Sequence, residues 1–541
     1  MKRNTNTLII GLILIICVIF PMLTQGIMCN DEVQLRLSAQ MGIGHFFKNY
    51  FVTECLEKGR MLGAIGNMKF LGYIFGNRYI YRSVDIIFLL AGISLFGYVI
   101  YLLFKNVKFS IFVSIMILVF LPITFEHSLP NAFVILTMQP LILLEVSIIL
   151  YIKYIEQENI RALIGCVFLF LWAMCLYEFI IVYVLLYPII YCIKNINRIK
   201  IKEIIKLHIP LFLCAMVYLM LYFGQRLVFP TTYSGNEIGV LSWKQMYPVI
   251  KTLFLSALPG YYCLGNSKYK YLFLVYNNGE LGVKNYLNPI IWIFCICLIF
   301  ILVELCHVQK IEHVSLIQRL LIYFSAIFFA IVPAVPNSIA KLYQGNVTAE
   351  SFTSLPVSIY IYISIMFGLS FFLWNFVLKK GQRYLWLFIS AIILIGASLV
   401  QVDNNVFAQE QSRNYIRFTS TERLFDLTFW MDYQEKRFSA PTLYETRNAL
   451  AVEDGHWTEY LNKNGLNISI ENNCDNVSDW IVQQDDDSYL VSVDSNNIYI
   501  SQNSNKEIVL ARDLDGNYNL YQTTSVIGEE NQQYIYQLVK K

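Results

Sequence analysis

The sequence predicts a multi-span α-helical membrane protein, with about eleven transmembrane helices and a small C-terminal extracytoplasmic α+β domain. Three observations carry that expectation. The first is composition: of 541 residues, 56% are hydrophobic and only 15% charged, against roughly a quarter charged in ordinary soluble domains. The second is the recurrence of apolar runs of spanning length as far as about residue 402. The third is charge. From Asp403 onward there are 22 acidic and 11 basic residues, a net of −11, which leaves +14 for the preceding residues within the overall +3. Halves of opposite charge suit a membrane part with basic inner loops and a solvated acidic domain.

The elements follow in order. Lys2 and Arg3 precede an apolar run from Leu8 to Met28, long enough to span and followed by no small-residue cleavage signal, so it reads as a retained helix. Further spans are expected at 84–104, 108–126, 131–152, 162–177, 179–193, 207–228, 288–306, 319–334, 355–378 and 384–402. In an eleven-span count, the basic loops "KNVK" (105–108), "KNINRIKIKEIIK" (194–206) and "KKGQR" (379–383) all fall on the side of Lys2 and Arg3. That side is cytoplasmic by the positive-inside rule, which puts the N-terminus in the cytoplasm and the C-terminal domain on the other side of the membrane. The membrane domain is 1–402, with outer loops 29–83, 229–287 and 335–354, and the outer domain is 403–541. The run 162–193 is about 48 Å long as one helix, too long for a hydrocarbon core of roughly 30 Å. A helical hairpin turning at Glu178 resolves that excess. "LSWKQMYPVIKTLFLSALPGYY" (241–262) reads as a surface amphipathic segment. In the tail, 420–434 reads as a capped helix. "SYLVSVDSNNIYISQ" and "EIVLARDLDGNYNLYQ" alternate as strands do, the second around an Asp-Gly turn.

Twelve cysteines show no CxxC or Cys/His spacing for zinc. Cys29 and Cys55 share the first outer loop and stand as one optional disulfide pair. No metal or other cofactor is expected, although a divalent ion remains compatible with the chemistry. No phosphate-binding glycine loop is present, so nothing supports use of a soluble nucleotide, nor is a nucleic acid expected as a partner.

The chemistry-bearing residues gather in the outer loops. Asn30, Asp31 and Glu32 follow the first span. Helix-start chemistry alone accounts for them, since Asn caps helices and carboxylates suit the positive helix end. A second reading makes one carboxylate a general base at the membrane interface, where partial desolvation strengthens it. If the substrate is a sugar carried on a polyprenyl phosphate, the phosphate needs a cation rather than an acid. Arg60 and Lys341 are the candidates. Glu178, with Tyr177, Tyr343 and Gln344, is placed to bind a sugar or acceptor. Ordinary turn and connector roles compete for each of these, as does snorkelling for Arg78 and Arg82. Gly59, Gly63 and Gly66 recur at helical spacing, as small residues do on a close-packed helix face.

The first span, the acidic pair in "NDE" (30–32), "GR" (59–60), the span count and the outer tail together resemble the GT-C superfamily of polytopic glycosyltransferases. The bacterial branch that decorates surface polysaccharides, including O-antigen glucosyltransferases, is the nearest likeness. The resemblance implies a GT-C-like membrane fold with a first-loop aspartate as base. It implies a polyprenyl-phosphate-linked sugar as donor and a cell-envelope glycan or lipid as acceptor, with membrane lipids around both. Many members carry two aspartates where this chain has Asp31 and Glu32, so the base is either residue, with Asp31 the first choice. Two other classes stay open. A transporter or flippase of a lipid-linked glycan would carry charges near the bilayer midplane, and a non-catalytic assembly protein would use mainly the outer domain.

Overall fold

In the computed structural model the described residues are 2–24, 39, 42–63, 78–123, 133–196, 201–230, 233, 235, 237–259, 287–305, 314–348, 355–377 and 383–414, with the backbone of eight strands between 442 and 540. The elements run α1 (Lys2–Thr24), α2 (Ile43–Tyr50), a π-helical segment (Phe51–Glu57), α3 (Arg78–Phe104), α4 (Val107–Val119), α5 (Val134–Gln157), α6 (Ile160–Leu176), a 3-10 segment (Glu178–Leu185), α7 (Leu186–Lys194), α8 (Ile201–Val228), α9 (Trp243–Ser256), α10 (Pro289–Leu305), α11 (Leu316–Phe329), α12 (Ala334–Ser338), α13 (Lys341–Thr348), α14 (Ser358–Val377) and α15 (Arg383–Asn414).

The chain is mostly helical and divides into two units. In the larger, seven segments have the length and apolarity to cross a membrane: Asn6–Thr24, Tyr79–Phe104, Val134–Gln157, Lys202–Val228, Leu316–Ser338, Ser358–Asn375 and Tyr384–Val406. Three more apolar helices, Val107–Val119, Ile160–Leu176 and Pro289–Leu305, are shorter. Their outward faces are rich in Ile, Leu and Phe, as at Ile164, Phe168, Phe212, Leu213 and Ile296, all exposed. A helix apolar all round suits a lipid surround rather than water.

Local chemistry sets the helix ends. Lys105 and Glu158 take left-handed backbone angles, with φ of 52° and 54°, and close α3 and α5. Asn106 and Asn159 follow them at once, their side chains accepting from the amides of Phe109 and Arg161 at 3.0 Å each. A left-handed residue followed by an N-cap makes the tightest of helix reversals, and α5 and α6 pack closely as an antiparallel pair. Between them Ser147 donates to the Cys166 carbonyl at 2.7 Å and bonds the Tyr187 hydroxyl at 2.7 Å. The 162–193 run is interrupted at Tyr177, which is extended at φ −152° and ψ 114°. Beyond it the chain doubles back, so that Tyr187 of α7 lies edge-on to Phe170 of α6 at 5.3 Å.

The shortest apolar helix, α4, ends under side chains from far along the chain. Tyr362 donates to the Ile117 carbonyl, Gln401 to that of Val119 and Asn404 to that of Leu121, while the Asn404 oxygen accepts from the Ile123 amide at 2.7 Å. These are the carbonyls a helix terminus leaves without partners.

The second unit contains eight strands in the order β2-β1-β3-β4-β5-β8-β7-β6, where β1 to β8 are Thr442–Thr446, Ser469–Cys474, Trp480–Gln484, Asp487–Val493, Asn497–Ile500, Ile508–Arg512, Tyr518–Glu530 and Gln533–Lys540. β4 pairs antiparallel with β5, and β6 with β7. The expected helix at 420–434 lies outside the described residues.

Candidate functional site

The most polar cluster among the described residues of the helical unit is built around Arg60. Its foundation is the π-helical segment Phe51–Glu57, whose wide turns leave carbonyls for outside donors. The end of α8 supplies them. Gln225 donates to the Cys55 carbonyl, and Arg226 to the carbonyls of Leu56 and Glu57 at 3.2 and 2.7 Å. Gly59 follows with φ +77°, and an added Cβ there would lie 2.3 Å from the Arg226 guanidinium. The positive φ favours glycine, and a Cβ would push aside the Arg226 guanidinium that bonds the Leu56 and Glu57 carbonyls. The Gly59–Gly63 stretch is therefore a turn and not the helix that the glycine spacing predicts; Gly66 lies outside the described residues. The Arg60 amide bonds the Glu54 carbonyl at 2.8 Å, and the Leu62 amide bonds the Cys175 carbonyl at 3.3 Å. The loop is thus fastened to the end of α6, beside Tyr177 and Glu178.

Two carboxylates share the Arg60 guanidinium. Its Nη1 donates to Glu54 Oε2 at 2.7 Å, and its Nε and Nη2 donate to the Glu178 oxygens at 3.1 and 3.5 Å. The guanidinium stands 4.4 Å from the centre of the Tyr177 ring, within cation–π range. Lys58 adds a bond to Glu54 at 3.0 Å and faces the Tyr233 ring at 6.0 Å. Glu54, Lys58, Arg60 and Glu178 balance to zero charge, with Arg226 one further cation close by. Glu54 and Arg60 are buried, whereas the Glu178 side chain is 34% exposed. Burial pushes the Glu54 carboxyl up, but Lys58 and Arg60 outweigh it and hold the group down at about 2. Burial likewise opposes the Arg60 charge, and Glu178 and Glu54 override it, raising the guanidinium further above its ordinary range. The Tyr343 phenol is raised by burial first, with Tyr233, Tyr177 and Glu178 adding to the effect and Arg60 opposing it. Tyr343 thus belongs electrostatically to the same cluster.

Four of the residues expected to be functional, Arg60, Tyr177, Glu178 and Tyr343, are brought together here from three distant parts of the chain. Two others are not. Lys341 is exposed and bonded to Glu237 at 2.6 Å, so it stands at the solvent edge with a partner of its own. Gln344 is buried, and its amide donates to the carbonyls of Val240 and Ser338 while its oxygen accepts from the Val240 amide. Its polar atoms are committed to clamping 237–240 against α12 and α13, which corrects the expectation that it binds sugar. The same clamp includes the Ile238–Ala340 bridge. Asp31, Glu32 and Cys29 lie outside the described residues. Among the described residues, no three His, Cys, Asp or Glu side chains gather as a metal site would require.

Glu54, Arg226 and Tyr233 escaped the sequence reading. Glu54 had a signal, since it stands four residues before Lys58. Arg226 at the end of a long apolar helix looks like any snorkelling cation, and its backbone partners are 170 and 169 residues away.

Two outcomes are expected from this geometry. The stability that ionised Glu54 contributes is complete above its unfolded value of 4.5 and lost as pH falls from about 4.5 toward 2. The unfolding midpoints of wild type and Glu54→Gln in detergent should therefore differ most near pH 6, narrow below pH 4.5 and converge only at about pH 2; a gap constant with pH contradicts the ion-paired assignment. Gly59→Ala should destabilise by about 1–2 kcal/mol through its left-handed backbone alone, and further through the clash with Arg226. Thermal melts should show Arg226→Ala relieving the clash but not the backbone part.

Comparison of the chain with models of known families, with curated proteins and with solved structures found no match.

Proposed function

We propose that this protein is a membrane glycosyltransferase of GT-C type that moves a sugar from a polyprenyl-phosphate donor to a cell-envelope glycan or lipid on the outer face. In this reading the chain crosses the membrane eleven times. The seven long helices, the three shorter apolar ones and the Glu178–Lys194 stretch make up that number. The N-terminus is cytoplasmic and the eight-stranded C-terminal part is an extracytoplasmic domain. The Arg60 cluster then lies at the outer ends of α6 and α8, at the depth where a prenyl-linked phosphate leaves the bilayer.

One observation carries the reading: Arg60, Tyr177 and Glu178 meet in one cluster, where the guanidinium bonds a buried carboxylate on one side and a partly exposed one on the other. Glu54 grips Arg60 from the buried side at 2.7 Å, while Glu178 holds it more loosely from the accessible side at 3.1 and 3.5 Å. A donor phosphate arriving from the accessible side competes with Glu178 for two parallel N–H groups, the geometry in which arginine binds phosphate best. The displaced Glu178 is then free to accept a sugar hydroxyl beside the Tyr177 face. Asp31, or Glu32 if Asp31 is not the base, deprotonates the acceptor hydroxyl, and Lys341 is a further cation for the donor phosphate.

A second reading, transport of a lipid-linked glycan, draws on one observation: Glu145 is buried halfway along α5. Against it, Glu145 is the one charged residue lining the space beside it, and the Ser325, Ser364 and Tyr360 hydroxyls there are bonded to carbonyls, which gives a glycan few polar groups to follow among the described residues.

The test is transfer by the purified full-length protein from a synthetic polyprenyl-phosphate sugar, alongside sugar analysis of the envelope in cells lacking the protein. Loss of an envelope sugar, its restoration by the gene, and turnover in vitro support the reading. An unchanged envelope glycan together with no turnover on any prenyl-linked sugar overturns it.

A further inference from the structure

A second site lies inside the helical unit, away from the Arg60 cluster. Glu145 of α5 is 1% exposed, and neither of its carboxylate oxygens has a hydrogen-bond partner among the described residues. It lines a cavity of about 110 Å³ bordered by α3, α5, α7, α11, α14 and the 3-10 segment. Glu145 is the one charged residue in that lining. The hydroxyls near it are engaged elsewhere. Ser325 donates to the Leu321 carbonyl, Ser364 to that of Tyr360, and Tyr360 to that of Thr137. The remaining walls are aliphatic or aromatic, and Tyr183 stacks on Phe329 at 5.1 Å with Tyr360 5.8 Å away.

A carboxylate without a partner in an apolar interior is among the costliest groups a fold can hold. Within membrane helices such a group generally marks a functional partner. The partner it lacks has a definable chemistry. Once a cation pairs with it, Glu145 sets one negative charge among aromatic faces and aliphatic walls, the complement of an ammonium ion on a short hydrocarbon chain. The charge forms an ion pair, the rings add cation–π attraction, and the walls take the chain. Size sharpens the definition. A cavity of about 110 Å³ suits a chain of a few carbon atoms.

We propose that this cavity is a binding site for a small alkylammonium ion, held by Glu145. The assignment is independent of glycosyl transfer, because the cavity shares no described residue with the Arg60 cluster.

The experiment uses the full-length protein in zwitterionic phosphatidylcholine nanodiscs, titrated calorimetrically with n-butylammonium, with n-butanol as the neutral analogue and empty nanodiscs as the partition control. Wild type is expected to bind the amine saturably at one site per chain and to bind butanol far more weakly. Glu145→Gln keeps the shape and removes the charge, and should weaken amine binding on the order of 30-fold while leaving butanol unchanged. Ser364→Leu keeps the carboxyl and fills the space, and should abolish both. Thermal melts identify any variant that has lost its fold, in which case the remaining variant decides. No saturable amine binding by wild type overturns the proposal. So does amine binding that survives either variant intact.

Discussion

Asp31→Asn, at wild-type abundance in the membrane, is expected to lower sugar transfer by about 10²–10⁴-fold, the usual contribution of a positioned general base. The substitution is chosen because it separates the two readings of that residue. Asparagine caps helices as well as aspartate does, and losing one charge at a helix start costs only about 0.3–1 kcal/mol. A residue that merely begins a helix therefore tolerates the change, whereas a base does not. Transfer from a prenyl-linked sugar by matched amounts of the two purified proteins reads the difference directly. Unchanged turnover moves the assignment to Glu32, tested as Glu32→Gln. Full activity in both variants removes the base from the proposed mechanism.

Arg60→Ala should have the largest structural effect. It leaves Glu54 buried and Glu178 partly buried without the guanidinium that bonds both. Breaking a buried pair from one side costs about 3–5 kcal/mol, a large share of the 5–15 kcal/mol that holds a typical fold. Reduced membrane abundance and a lowered unfolding midpoint are the expected readouts. Arg60→Lys is not a conservative repair, because a compact ammonium lacks the planar, spread fork by which the guanidinium bonds Glu54 on one side and Glu178 on the other. Adding Glu54→Gln to Arg60→Ala should recover part of the loss, with a coupling of about 0.5–3 kcal/mol between neighbours. Strict additivity would falsify the shared-guanidinium account. If Arg60 also holds donor phosphate, the Arg60→Lys protein that does fold should show a raised KM for the prenyl-linked sugar.

Much of the helical unit was legible because apolar length and basic loops are local signals. The reversal at Glu178 was readable from length alone, since 32 residues make too long a single span. The Arg60–Glu178 pair was half legible: each residue stood out as polar in an unusual place, but nothing local joins positions 118 apart. The turn at Gly59–Gly63 defeated the reading of those glycines as a helix face. Glycine spacing registers small residues, whereas Gly59 is there for its backbone angle and for room beside Arg226. Gln344 misled for a related reason. A polar residue in an outer loop advertises hydrogen bonds without saying whether backbone or ligand receives them. Glu145 was missed altogether, absorbed into a run whose mean hydropathy hid one carboxylate.

The cap on α4 bears on how the protein is made. Gln401 and Asn404 reach the end of that helix from positions 282, 283 and 281 residues later in the chain. At synthesis rates of about 5–20 residues per second, those partners emerge roughly 15–60 s after the helix they complete. Throughout that interval α4, only 13 residues long and so about 20 Å from end to end, waits with its last carbonyls dependent on water or headgroups. The end of α4 is thus completed late, when the final helix is made. A nascent chain stopped before residue 401 would carry an apolar helix whose last carbonyls lack the side chains that cap them.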